Sequence, residues 1–300
     1  MSRFVLRKQN FYDQADALRA VFDERFAEPR STRGDRFAWD WWHVPDQYTL
    51  LRTPAWEYFP EELYADFHER LALWGRAQLG CWDLSPPWLS VYIDGCEQQL
   101  HADVPHGPWA FVLTLNPKGR RAFQGGETLI AKPELLDYWS GFDGAEDRER
   151  GSFVATIPPR FNQLTVFDPR FPHGVTRVSG TRDPREGRLA IHGWFTEPRP
   201  FIEGPLTDLE VEQGLAAALE SLPSMLAELG VFHGLLSMRL EVEADGQVRA
   251  ARTLANTLVG LDAPGVEESG ATRRIVARLK RARFAASSEP SGITLPLLFR

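Results

Sequence analysis

The stretch from His101 to Trp194 holds the residues whose types and spacing could do chemistry. It opens with His101-Ala102-Asp103 and continues through Phe123-Gln124-Gly125-Gly126-Glu127-Thr128. Phe171-Pro172-His173-Gly174-Val175 follows, and Arg188-Leu189-Ala190-Ile191-His192-Gly193-Trp194-Phe195 closes it. Two histidines and one carboxylate at such separations are what a mononuclear iron site with open coordination positions requires. In a strand, residues two apart share a face, so His101 and Asp103 point the same way. Alone, an HxD pair is weak, because a polar surface turn carries the same side chains.

The elements around this stretch must position it. From Trp88 onward the chain reads as short strands separated by Gly and Pro turns: 89–93, 110–115, 129–130, 153–157, 164–167 and 189–195. Many short strands of this kind predict a sandwich or barrel. Upstream, Ala15, Leu18, Val21, Phe22 and Phe26 mark an amphipathic helix. A second helix begins near Pro60, a residue suited to a first helical turn. Its face of Leu63, Phe67, Leu71 and Trp74 is expected to pack on a sheet, with His68 beside it at the surface. The aromatic run 39–45 reads as irregular, either a packing cluster or a cleft lining, and 132–150 as a charged, flexible insertion.

Taken together, HxD, FxGGET, NxLxxFD (Asn162 to Asp168), HGVxxV (His173 to Val178) and RLxxxxWF (Arg188 to Phe195) give residues 88–196 a specific resemblance. The stretch resembles the catalytic core of Fe(II)/2-oxoglutarate-dependent oxygenases of the prolyl 4-hydroxylase type. The resemblance implies a double-stranded β-helix, or jelly roll, with Fe(II) at one end and 2-oxoglutarate as co-substrate. Ascorbate enters as an accessory. It makes His101, Asp103 and His173 the metal ligands and Arg188 the anchor for the distal carboxylate of 2-oxoglutarate. Tyr92, Thr114 and His192 become further co-substrate contacts, although His192 reads equally well as a structural hydrogen-bonder. The carboxylate of Asp103 favours hydroxylation, since related halogenases carry a small residue there.

Four arginines compete for the anchor: Arg177, Arg182, Arg185 and Arg188. Arg182 and Arg185 lie in the polar segment 180–187, which reads as an exposed loop. Arg188 begins a strand whose alternate positions are Ala190, His192 and Trp194, and such a face suits only a polar pocket. A guanidinium fork also matches a carboxylate better than a point charge does. The fifteen residues separating His173 from Arg188 exceed the usual prolyl-hydroxylase spacing, which keeps Arg177 in contention. His106 reads as a rim residue, Gly125 and Gly126 as turn formers, and Glu127 as a structural polar partner.

All ten tryptophans lie between Trp39 and Trp194, and the six tyrosines end at Tyr138. The shift falls near Pro198-Arg199-Pro200 and divides the chain into an oxygenase domain, 1–203, and an accessory unit, 204–300. In the latter, Thr207 and Glu210 form a capping box, Pro223 breaks the helix, and Gly230 is a stop. Leu236, Met238, Leu240 and Val242 alternate with polar residues as a half-buried strand, and Asp245-Gly246 turns it into a hairpin. With a helix over 272–283 and a strand over 293–299 this makes a β-β-α-β unit. It resembles the C-terminal domain of TonB-type proteins, and a protein partner through it is one expectation. The expected fold class is therefore mainly β with flanking helices, a jelly roll plus a small α+β unit.

The net charge of −7 and pI near 5.6 exclude a nucleic-acid surface. The basic run 273–283 is interleaved with Ile275, Val276 and Leu279, as on a solvated helix. Cys81 and Cys96 form no CxxC pair and are expected as thiols. With no apolar leader and no membrane-length run, the expectation is a soluble cytoplasmic protein. The reaction expected is hydroxylation of a C–H bond by dioxygen, with release of succinate and CO2. An amino-acid side chain, free or in a peptide or protein, is the first substrate class, and a small metabolite the second. A non-catalytic jelly-roll binding or scaffold module is the alternative of a different kind.

Overall fold

Hydrophobic alternation and Gly/Pro punctuation shape a chain dominated by short antiparallel strands. The structure, a computed structural model, describes residues 4–27, 39–103, 106–119, 121–140, 142–145, 152–261 and 268–299. It begins with β1 (Val5–Gln9), α1 (Ala15–Arg25), β2 (Asp40–Val44), β3 (Tyr48–Pro54), α2 (Ala55–Tyr58) and α3 (Glu61–Leu79). The strands β4 (Cys81–Leu84), β5 (Trp88–Tyr92), β6 (Glu97–His101), β7 (Trp109–Thr114) and β8 (Thr128–Ala131) follow. After α4 (Glu134–Ser140) come β9 (Val154–Ile157), β10 (Gln163–Phe167), β11 (His173–Val175), β12 (Arg188–Pro198) and β13 (Phe201–Glu203). The chain continues with α5 (Asp208–Glu220), α6 (Leu222–Ala227), β14 (Phe232–Val242) and β15 (Val248–Asn256). It closes with β16 (Val259–Gly260), α7 (Glu268–Leu279) and β17 (Ser291–Phe299).

The first sheet runs β1-β10-β7-β12-β5-β3-β6-β11-β8-β9, with β2 beside β3 and β4 beside β12. It folds over itself at β3, which pairs β5 through Leu51–Pro54 and β6 through Tyr48 and Thr49. The halves on either side of β3 therefore face each other. Arg188 of β12 reaches across to donate to Thr128 Oγ1 of β8 at 3.3 Å, and Phe167 of β10 meets the His173 ring of β11 at 4.7 Å. This curled antiparallel sheet is the jelly roll. Its outer face, carrying Leu89, Val91, Phe111, Leu113, Leu189 and Ile191, packs against α1 and α3 in one apolar core.

The second sheet is ordered β13-β17-β14-β15, with β16 beside β14. The succession β14-β15-α7-β17 is the β-β-α-β order expected, although α7 starts earlier than 272 and ends at Leu279. Thr207 and Glu210 form the reciprocal capping box, and Pro223 separates α5 from α6. The change of sheet falls between Pro198 and Phe201, because Phe201–Glu203 already pairs with β17 in the second sheet.

Several expectations need correction. Residues 40–44 are a regular strand, held by β3. The segment 132–150 contains α4, while residues 141 and 146–150 lie outside the described residues. Strand β14 is buried on both faces between Leu235 and Met238, where a half-buried strand was expected. The reason is α3, which lies between the two sheets. An α-helix leaves its last four carbonyls unpaired. Here Thr294 Oγ1 donates to the Ala77 carbonyl at 3.0 Å, and Ser237 Oγ donates to that of Leu79 at 2.8 Å. Gly80 ends the helix at φ 71°, and a Cβ there would lie 2.6 Å from Pro296 Cδ, so only glycine permits β17 this close.

Replacing Ser237 with Ala strands the buried Leu79 carbonyl, at a cost of about 1–3 kcal/mol. Urea denaturation followed by tryptophan fluorescence, whose signal comes wholly from the N-terminal 194 residues, is expected to register that loss. An unchanged fluorescence midpoint would mean that the two sheets are energetically separate.

Candidate metal centre

His101 is the last residue of β6, and its cross-strand partner is His173 of β11. Directly opposed residues of an antiparallel pair stand on the same face, and the two rings lie 4.5 Å apart. Asp103 completes the group: its Oδ1 is 3.6 Å from His101 Nε2 and its Oδ2 is 3.3 Å from His173 Nε2. One potential ligand atom from each residue lies within 4.8 Å of the others. The strand-parity argument for Asp103 fails in detail, because β6 stops at His101. Asp103 is aimed instead by its own backbone N–H, which donates to the Pro169 carbonyl at 2.9 Å.

The two imidazoles are set for ligation by the chain around them. Nδ1 of His101 lies 2.8 Å from the Gln99 carbonyl, and Nδ1 of His173 lies 3.0 Å from that of Phe171. A carbonyl only accepts, so each Nδ1 carries the proton and each Nε2 presents its lone pair inward. Burial favours the neutral form of His101, lowering its pKa despite the hydrogen bond to Gln99. Burial alone would raise Asp103, but His173, His101 and His106 outweigh it and hold the carboxyl below its ordinary range. At neutral pH Asp103 is thus anionic and His101 neutral, the forms that bind metal. Two imidazole nitrogens and one carboxylate, with no further ligand in the cluster among the described residues, suit Fe(II) with open positions.

Deeper in the barrel, Arg188 is 2% exposed. The pairing of β12 with β5 and β7 places Tyr92, Ser90 and Trp88 on its face, together with Thr114, Val112 and Ala110. The inner surface is accordingly polar at depth and aromatic toward Trp194. The Arg188 guanidinium lies 4.6 Å from the Tyr92 ring centroid, donates to Thr128 Oγ1, and leaves Nε without a hydrogen-bond partner. Among the described residues no carboxylate forms an ion pair with it. Thr128 and Ile130 lie two residues apart on β8, and Ile130 is opposite His173. The Arg188 contact thus lies about 7 Å along the strand from the His101–Asp103–His173 cluster.

Arg177 is exposed. Arg182 has 89% of its side chain exposed, and Arg185 pairs with Asp183 at 2.8 Å. Of the four arginines only Arg188 enters the barrel. Gly126 gives it room: φ is 76°, and a Cβ would meet Arg188 Cδ at 3.1 Å. Asn116 fixes the start of β12 by accepting from Leu189 N at 2.9 Å. The Tyr92 hydroxyl donates to Gln98 Oε1 at 2.8 Å, and burial pushes its pKa up to about 12. Thr114 shares the inner face but turns its hydroxyl to the Arg160 carbonyl. His192 Nε2 lies 2.7 Å from Ser90 Oγ. Burial, reinforced by Arg188, pushes the His192 pKa down to about 3. His106 is exposed and stacks on Trp194 at 4.5 Å. Glu127 accepts from Thr176 Oγ1 at 2.6 Å, a structural role.

Sequence reasoning missed Thr128 as the partner of Arg188, Ser90 as that of His192, and Arg52, which lies on the same inner face opposite Ser90. Alternation along residues 48–54 was the available signal for Arg52.

No protein-family model matches the chain, and no curated protein matches it. Among solved structures, it is similar to a prolyl 4-hydroxylase from Pseudomonas putida: 19% identity, TM-score 0.41, covering 65% of this chain and 93% of that one. It is also similar to a Trichoplax adhaerens prolyl hydroxylase in complex with a hypoxia-inducible-factor oxygen degradation domain peptide fragment. That match has 15% identity and TM-score 0.44, over 65% and 84% of the two chains. An oxidoreductase of the 2OG-Fe(II) oxygenase family from Burkholderia pseudomallei matches at 13% identity and TM-score 0.40, over 63% and 83%. At these identities and scores the likenesses carry no argument about chemistry; the jelly roll rests on the strand order itself. No helix among the described residues is long and apolar enough to cross a membrane.

The buried neutral His192 makes stability depend on pH. Its imidazole titrates near 6.5 when unfolded and near 3 when folded, so between these values the unfolded state holds the extra proton. The contribution is complete above about pH 6.5 and is lost as pH falls toward 3. Urea midpoints are expected to drop between pH 7 and 4, and to drop less in His192→Asn.

Proposed function

We propose that this protein is an Fe(II)/2-oxoglutarate-dependent dioxygenase that hydroxylates a C–H bond and releases succinate and CO2. The observation that carries the reading is the pairing of a two-histidine, one-aspartate centre with a buried guanidinium lacking a carboxylate partner, both inside one barrel. His101, Asp103 and His173 would hold the metal, and Arg188 would receive the distal carboxylate of 2-oxoglutarate. The separation of about 7 Å suits a five-carbon diacid whose other end reaches the metal. When bound, ferrous iron supplies the redox chemistry that activates dioxygen, with decarboxylation of 2-oxoglutarate supplying two of the electrons.

The chain's own residues do the rest. Arg188 binds and orients, its fork matching a carboxylate bidentately at the unpaired Nε edge. Tyr92, protonated and bonded to Gln98, supports the guanidinium from its π face. His192 stays neutral, adding no charge between the two sites. The apolar positions Val112 and Phe167 limit water near the reacting carbon. Thr114 lines the same face as a secondary contact. An amino-acid side chain is the proposed substrate class, since the sequence resemblance is to the prolyl 4-hydroxylase type. The β-β-α-β unit, with its likeness to TonB-type C-terminal domains, is the proposed surface for a protein partner.

Oxygen-dependent succinate release from 2-oxoglutarate, with Fe(II) and ascorbate supplied, tests the reading. His173→Ala is expected to abolish it. Arg188→Ala is expected to cost about 2–5 kcal/mol of 2-oxoglutarate binding, as loss of a buried charged hydrogen-bond partner does. A wild-type protein that binds Fe(II) and 2-oxoglutarate yet turns over with no substrate pool would overturn it.

A further inference from the structure

A second guanidinium faces the barrel interior, and among the described residues no carboxylate forms an ion pair with it. Arg52 lies on β3, opposite Ser90 on one side and Asp40 on the other, so its side chain shares the inner face with Ser90, Arg188 and His192. It sits between two indoles, its Cζ 3.3 Å from the Trp42 centroid and 4.2 Å from that of Trp88. Its Nε is buried and makes no hydrogen bond. Asp40, its cross-strand neighbour, is exposed, and among the described residues no carboxylate lies within ion-pair distance of Arg52. Tyr48 and His192 are the other ionisable side chains that sense it.

The location differs from that of Arg188. Arg188 and Tyr92 are deeply buried, whereas Arg52, Trp42, Trp88, His192 and Trp194 are all half-buried and mark the open end. That end also carries the metal ligands. Trp42 stacks on Tyr48 at 4.6 Å, and Tyr48 lies 6.3 Å from the His101 ring. Arg52 is therefore one aromatic contact removed from the ring that packs against a metal ligand.

The chemistry of the slot narrows what it takes. A guanidinium directs its donors outward in its own plane. Two indoles against the cation, with Nε buried, leave the terminal N–H groups as the direction of recognition. A group lying in the same plane and accepting two parallel hydrogen bonds fits, and that is a carboxylate. The deeper carboxylate of the co-substrate already has Arg188, so this one belongs to the molecule that is oxidised.

We propose that Arg52, clamped between Trp42 and Trp88, is the specificity-determining residue for the primary substrate and binds its free carboxylate. The substrate is then a free amino acid or the C-terminal residue of a peptide, and an internal residue of a protein chain is disfavoured. The inference rests on the oxygenase reading, but its test does not depend on turnover.

The test uses the full chain with Fe(II) and 2-oxoglutarate under nitrogen, followed by tryptophan fluorescence, since Trp42 and Trp88 stack on the responding group. Three sets of probes are titrated: the free L-amino acids, acetyl-capped tripeptides with free C-termini, and the carboxamides of both. At least one acid is expected to bind about tenfold or more tighter than its amide, as a charged bidentate contact requires. Free amino acids or tripeptides, whichever shows the preference, identify the source of the carboxylate. In Arg52→Gln the preference is expected to fall below about twofold, and in Arg52→Lys to be partly retained. The 2-oxoglutarate affinity is expected to stay unchanged in both. Equal binding of acids and amides across the panel, or a preference that survives Arg52→Gln, overturns the proposal. So does a loss of 2-oxoglutarate binding in Arg52→Gln, which would make Arg52 a co-substrate residue. Failure of the oxygenase reading is seen separately, as absence of succinate release by the wild-type protein in air.

Discussion

Burying a guanidinium is the constraint to which the barrel interior conforms. A cation removed from water is costly unless it is paired or hydrogen-bonded. Among the described residues Arg188 has the Thr128 hydroxyl and the Tyr92 side chain beside it, and no carboxylate forms an ion pair with it. Everything near it is arranged around that incomplete solvation. Gly126 withdraws its backbone to leave space for the side chain, and Asn116 fixes the strand on which it begins. His192, four residues on, is forced into its neutral form. The interior carries a standing electrostatic demand for an anion, and the fold holds that demand in place.

The three candidate metal ligands are organised by the opposite means. Their positions depend on backbone carbonyls and not on buried charge. The Gln99 and Phe171 carbonyls set the two imidazole tautomers, and the Pro169 carbonyl fixes the residue that bears the carboxylate. The three ligands come from the end of β6, the loop beyond it, and the start of β11. The strand pairing between His101 and His173 is what brings them together from 72 positions apart in sequence.

Much of this was legible because the inner face of β12 obeys period-two alternation. Arg188, Ala190, His192 and Trp194 could be assigned to one face before any partner strand was known, and Arg182 and Arg185 set aside by their polar, Pro-containing loop. Asp103 was legible as a ligand for a reason that does not hold, since the strand had already ended. Arg52 was hidden because residues 39–54 are dominated by large aromatics, whose packing and lining roles look alike until neighbours are known. The double burial of β14 was hidden for a related reason. Ser237 and Arg239 read as solvent-facing, yet Ser237 is the small polar residue that a helix terminus needs beside it. Alternation reports which residues share a face, not what covers that face.

The end of α3 has a consequence for how the two sheets can be separated. Its terminal carbonyls are satisfied by hydroxyls of Ser237 and Thr294, and Gly80 lies against Pro296. Leu235, Ala255 and Leu298 of the second sheet join the same apolar cluster as Phe67 and Leu71 of the helix. A chain cut after residue 203 would keep His101, Asp103, His173 and both interior arginines, yet lose the partners that finish the helix on which the barrel leans. The second sheet thus acts as a splint on the back of the barrel. Ser237, Thr294 and Pro296 form the strip through which that support is delivered.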